Sequence, residues 1–203
     1  MDKMEKFQFA MAVRFTDKRM RSVYFFYNDS CSDHLFRYPC KDPNSKHLEK
    51  RIVAIFDKSS TIRPEWFTKY GADVIVNPSD DELKKVKIVV VMPNNATGYY
   101  DILDYYVHLL QKVVRLLKTK HNYKHIIVVL PADSDEYSTE LSRMAYYAVY
   151  GLVKGLGKLY APYSLFVNGV ILNRTNPTNN LEGRITYLAS DNSCNTIGQI
   201  FKL

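Results

Sequence analysis

Apolar residues fall in two repeating patterns from about residue 51 onward. Short, continuous apolar runs occur at 51–56, 73–76, 87–92, 125–130, 165–172 and 196–203. Runs of this length, rich in Val and Ile, predict strands buried on both faces. Between them lie segments of helical period. The clearest is 99–118, where Ile102, Tyr106, Leu109, Leu110, Val113 and Leu117 share one face. A second long helix is predicted over 136–160, stopped by Ala161-Pro162. Shorter helices are predicted over 61–70, 80–85 and 181–188. Pro64 suits a first turn and Gly71 suits a helix C-cap. Strand–helix alternation with right-handed crossovers gives an α/β fold, a Rossmann-like doubly wound parallel sheet.

Residues 1–50 read differently. Segments 7–15 and 21–27 are rich in β-branched and aromatic residues, and 28–47 is polar and turn-rich. The expected organisation is an N-terminal β-rich extension and loop over 1–50, then one domain over 51–203.

The helix at 99–118 carries Leu103, Val107 and Val114 beyond the stripe that one sheet requires. This predicts a second partner for it, such as another subunit. Gly151, Gly155 and Gly157 lie in the second long helix, at a cost of about 1 kcal/mol each relative to Ala. They predict close approach of another backbone, either the sheet below or a partner's helix. A homo-oligomer, or a hetero-oligomer with a related chain, is therefore expected through 99–118 and 136–160. A charge at Leu110 or Gly155 should then dissociate it without unfolding the sheet.

Composition narrows the class. The chain has 203 residues, 46% hydrophobic and 24% charged. None of its apolar runs approaches the roughly 20 residues of a membrane span, and no signal-peptide stretch follows Met1, so a cytoplasmic protein is expected. The net charge of +7 suits an acidic partner such as an acyl-carrier protein. Lys and Arg are dispersed, which is the pattern of a solvated surface and not of a nucleic-acid footprint. Cys31, His34, Cys40 and His47 have no defensible zinc spacing, and with Cys194 the cysteines read as free thiols.

Three landmarks carry a resemblance. Residues 148–170 run through a long helix and Ala161-Pro162 into Val167-Asn168-Gly169-Val170. Leu188-Ala189-Ser190-Asp191 is followed by Thr196-Ile197-Gly198-Gln199. Upstream stands Val90-Val91-Met92-Pro93-Asn94-Asn95-Ala96. In this order they resemble the short-chain dehydrogenase/reductases, in particular a degenerate, ketoacyl-reductase-like and truncated member. The resemblance implies a Rossmann domain, NAD(P)H chemistry and pairing through the two long helices. It makes Asn94 and Asn95 the weak cofactor-binding candidates.

The departures from that family define the functional expectation. Its glycine-rich pyrophosphate turn corresponds to 56–62 here, which has no glycine and carries Asp57. Its catalytic Tyr and Lys, counted back from Asn168, fall on Ser142 and Tyr146. Its catalytic Ser falls near Val129 or Leu130. A Tyr acts as general acid in hydride transfer, and a Lys lowers its pKa. Ser142 is too basic for that work, and Tyr146 offers no positive charge. The expectation is a non-catalytic reductase-like subunit supporting a partner, plausibly an active paralogue in fatty-acid, polyketide or other secondary metabolism. No cofactor and no micromolar dinucleotide binding are expected. The alternative is an active NAD(P)H-dependent reductase of a carbonyl or enoyl substrate. It would use Tyr147 and Lys154, whose spacing of seven resembles the enoyl-reductase branch and places both on one helix face.

Overall fold

Four segments of almost uninterrupted Val, Ile and Leu leave the chain no amphipathic way to form a sheet. They must be covered on both sides. The computed structural model describes residues 47–58, 60–94, 99–118, 123–130, 140–172, 181–193 and 196–202. It divides the chain into two units, Met1–Pro39 and Cys40–Leu203. Everything described lies in the second. The segments 7–15 and 21–27, with the Cys31, His34 and Cys40 cluster, fall outside the described residues.

Six strands form one parallel sheet: β1 (Ile52–Phe56), β2 (Asp73–Val76), β3 (Ile88–Val91), β4 (Lys124–Leu130), β5 (Leu165–Ile171) and β6 (Ile200–Lys202). Their order is β2-β1-β3-β4-β5-β6. Every residue of β3, β4 and β5 is buried. Five helices cover the sheet: α1 (Glu65–Thr68), α2 (Asp80–Leu83), α3 (Tyr99–Leu117), α4 (Glu140–Tyr160) and α5 (Leu181–Ala189). Leu83, Leu110, Val113, Val149 and Val153 pack with alternate strand residues such as Val89, Ile126 and Val128. Trp66, Phe67, Ile185 and Leu188 pack with the intervening ones, Val53, Val90 and Ile127. Helices thus cover both faces, and the doubly wound reading holds.

Two of the three short helices are shorter than expected, while α5 runs one residue further. The expected helix over 61–70 is a single turn, α1. Its entry is held by the Asp57 carboxylate, which accepts the Ile62 N–H at 2.8 Å, and by Pro64. Gly71, at φ +87°, ends the segment. A Cβ there would stand 3.3 Å from the Glu49 backbone, and the Leu48 N–H bonds the Tyr70 carbonyl at 3.1 Å. Residues 47–50 therefore belong to this packing. α2 owes its position to a capping box, in which Ser79 caps the Glu82 N–H and Glu82 caps the Ser79 N–H.

The three glycines of α4 separate by role. A Cβ on Gly157 would lie 2.5 Å from the Gly198 Cα, so α4 meets the loop before β6 backbone on backbone. Gly151 and Gly155 face open space. Of the three residues that widen α3's apolar face, Val114 is buried within the chain, while Leu103 and Val107 are half-exposed. Val113, Val114 and Leu117 are buried where α3 packs on both the sheet and α4. Leu110 is only 1% exposed and lies in this core, so the expectation that a charge there would leave the sheet intact is corrected.

Candidate functional site

The chain leaves β1, forms β2 on one side, then crosses back to form β3 on the other. Open parallel sheets bind ligands at such a reversal, outside the carboxyl ends of the strands. Here that crevice lies beyond Phe56 and Val91, paired neighbours on β1 and β3, where the Met92 N–H bonds the Phe56 carbonyl.

Asp57 is the first residue beyond β1. It is 5% exposed, and its carboxylate closes the turn onto Ile62. A glycine-rich turn leaves such an N–H to a phosphate; this turn supplies its own anion. Ser60 takes φ +56°, a left-handed conformation that favours glycine. α1 is too short to offer a substantial helix dipole. The turn therefore offers a pyrophosphate less than a glycine-rich turn does.

The rest of the crevice has different chemistry. Asn94 lies beyond β3, half-buried, and its Oδ1 is buried without a hydrogen-bond donor. Tyr105 of α3 is half-buried. Its hydroxyl is pushed up to about 12, first by burial and then by the negative Asp57. Tyr105 was not singled out from the sequence, because its place in an amphipathic helix gives it the signature of a packing residue. Next to it, Tyr106 donates to the Val129 carbonyl at 2.7 Å. Among the described residues, Asn94 Oδ1 is the acceptor of this crevice left open to a hydroxyl donor.

The positions at which the family keeps its catalytic groups are occupied as follows. Ser142 lies in the first turn of α4, and its side chain is outside the described residues. Tyr146 is 6% exposed and packs in the core with its ring 6.3 Å from that of Tyr150. Val129 and Leu130 are fully buried strand residues without a hydroxyl. Asn95 is outside the described residues. Tyr147 is 63% exposed on the outer face of α4. Lys154 is half-buried, its amine 5.6 Å from the Tyr150 ring centroid.

The landmarks of the resemblance have structural roles. Asn168 donates to the Thr196 carbonyl at 2.8 Å and accepts from the Gln199 N–H at 3.0 Å, tying β5 to the approach of β6. Asp191 pairs with Arg51 and ties the segment after α5 to the start of β1. Among the described residues, no cluster of His, Cys, Asp and Glu could hold a metal ion. No described helix is long and apolar enough to cross a membrane.

No protein-family model and no curated protein matches the sequence. Solved structures do match. A short-chain type dehydrogenase/reductase from Mycobacterium marinum superposes with a TM-score of 0.64 at 15% identity, covering 78% of this chain and 95% of its own. A variant of a Serratia marcescens short-chain dehydrogenase/reductase gives 0.61 at 15% identity, covering 77% and 97%. A gluconate 5-dehydrogenase from Burkholderia cenocepacia, in complex with NADP and tartrate, gives 0.59 at 13% identity, covering 79% and 96%.

The expectation of no cofactor is corrected by this comparison. The Burkholderia enzyme, and a second similar structure from Beutenbergia cavernae, hold NADP on the same fold. The expectation rested on the charge of Asp57 and on the missing glycines of its turn. A crevice at a strand reversal is made by topology and survives their loss. The chain has the fold of the short-chain dehydrogenase/reductases.

Proposed function

We propose that this chain is a reductase-like subunit that takes a nicotinamide dinucleotide at the β1–β3 crevice and pairs with a related reductase in the cytoplasm, without itself acting as the proton donor. The observation that carries this reading is Tyr146. It stands where the family keeps its lysine, carries no positive charge, and is packed into the core. The neighbouring family position is a serine, a far weaker acid than a phenol.

The nucleotide supplies hydride when bound. In this chain Asn94 would accept from one of its hydroxyls, while the Asp57 charge opposes its phosphates. Binding is therefore weaker than a glycine turn provides. Pairing is supported by the outer face of α4. Met144, Tyr147 and Leu159 are more than half exposed there, beside the open Gly151 and Gly155. A contiguous apolar stripe of this kind marks an interface. The net charge of +7 also suits an acyl-carrier protein as the source of a tethered substrate.

The second reading is an active carbonyl or enoyl reductase using Tyr147 and Lys154. It is favoured by the exposed Tyr147 phenol and by the fold's likeness to dehydrogenases. Purification with native partners, followed by mass spectrometry and single-turnover assays with NADPH, separates the two. A co-purifying reductase with no turnover by this chain alone supports the first. Turnover by the isolated chain that is lost in Tyr147→Phe establishes the second and ends the first.

A further inference from the structure

The amino-terminal edge of the sheet, opposite the crevice, holds positive charge that no ion pair among the described residues neutralises. Lys124 opens β4 and is only 5% exposed, although it is a lysine. Lys87 immediately precedes β3. Ile88 pairs with His125, and the His125 N–H bonds the Lys87 carbonyl at 2.9 Å, so Lys87 and Lys124 stand side by side on adjacent strands. Like charges in that relation repel. Among the described residues neither amine has an ion pair or a hydrogen bond.

A third cation borders them. The Lys118 amine, just beyond α3, lies 4.1 Å from the Tyr163 ring centroid and 5.8 Å from that of Tyr160. The Lys124 N–H bonds the carbonyl of Ser164, the residue after Tyr163, and so ties this turn to the start of β4.

Other lysines in the protein find carboxylates: Lys69 has Glu182, Lys84 has Asp81, and Lys112 has Asp80. The C-terminal end of α3 offers roughly half a negative charge, too little for three cations. Burial, and then the neighbouring Lys87, push the Lys124 amine below its usual range, as expected of an ammonium lacking a counter-ion. A buried ammonium is costly unless it is paired.

We infer that Lys87 and Lys124, bordered by Lys118 on Tyr160 and Tyr163, form a binding site for a compact phosphate dianion, either free phosphate or a phosphomonoester group. Two adjacent ammonium groups match a dianion in charge. Lysine serves phosphate as a point charge and needs no fixed fork.

The test is calorimetric titration of the whole protein with inorganic phosphate and, separately, glycerol 3-phosphate, in chloride buffer of matched ionic strength. Sub-millimolar binding of either is expected, the tighter one naming the source. Lys87→Gln and Lys124→Met should each weaken it by roughly tenfold or more. Lys124→Met should also melt no lower than the parent without phosphate, because it removes an uncompensated buried charge. If it fails to fold, Lys87→Gln decides alone. Binding no better than tens of millimolar, or binding unchanged in Lys87→Gln, overturns the inference. Lys69→Gln, at a lysine already paired with Glu182 and outside both the crevice and this edge, should leave phosphate binding unchanged.

Discussion

Single side chains in this protein do work that their residue types do not announce. Asp57 caps its own turn at the point where a phosphate would otherwise sit. Asp57→Asn keeps an acceptor for the Ile62 N–H and removes the charge. Titration with NADPH should show binding tightened by about tenfold, or about 1.4 kcal/mol; unchanged affinity would show that the carboxylate does not oppose the ligand. His125 is a second case. It is 1% exposed and its Nε2 has no partner. Burial first, and then Arg51, push it down to about 4, with Asp191 acting in the opposite sense. Its folded pKa lies below the unfolded one, so the unfolded chain takes up the proton first as pH falls. Stability is unaffected by this group above about pH 6.5 and is lost progressively down to about pH 4, by up to about 3 kcal/mol. Urea unfolding at pH 7 and pH 4.5 should show that loss, and His125→Leu should reduce it. Neither effect was legible in the sequence, where Asp57 reads only as a misplaced charge and His125 as the polar start of a strand.

At the scale of elements, the sequence was most informative where one force dominated. Continuous apolar runs place β1, β3, β4 and β5, because a strand buried on both faces has no other composition; β2 and β6, at the sheet's edges, are only partly buried. The helix expected over 61–70 was overextended, since its ends are set by local geometry: the Asp57 cap, Pro64, and Gly71 at positive φ. Of the residues that give α3 its extra apolar width, Val114 lies in the core, while Leu103 and Val107 stay half-exposed. Periodicity counts the buried positions of a helix but does not say what buries them. The glycines of α4 give a sharp contrast. Gly157→Ala should destabilise the protein by roughly 1–3 kcal/mol, because the added methyl meets the Gly198 backbone. Gly151→Ala meets nothing and should stabilise the isolated chain by up to about 1 kcal/mol. Thermal melts of the two variants test the pair. A Gly157→Ala protein as stable as its parent would mean that α4 and the loop before β6 can separate without cost.

For the whole molecule, the decisive question is what covers the outer face of α4. Met144 and Tyr147 are 54% and 63% exposed, one turn apart. Met144→Glu should convert an assembly into monomers by light scattering at about 10 μM, with the far-ultraviolet circular dichroism unchanged. A parent protein that is already monomeric at that concentration, with nothing co-purifying, would remove the basis for pairing. The sequence located this helix and its glycines; it could not say that Gly157 turns inward and Gly151 outward, because that depends on where β6 returns.

The contact between Gly157 and Gly198 also bears on how such a chain can drift over evolutionary time. Gly198 has φ +61°, so its backbone conformation disfavours any side chain, and Gly157 leaves no room for one. Neither position can change first without a loss, and a change at one does not relieve the other. The two are therefore expected to persist together in descendants of this sequence even where the nucleotide turn has diverged. When distant relatives are aligned, this glycine pair should serve as a better anchor than the residues of the crevice.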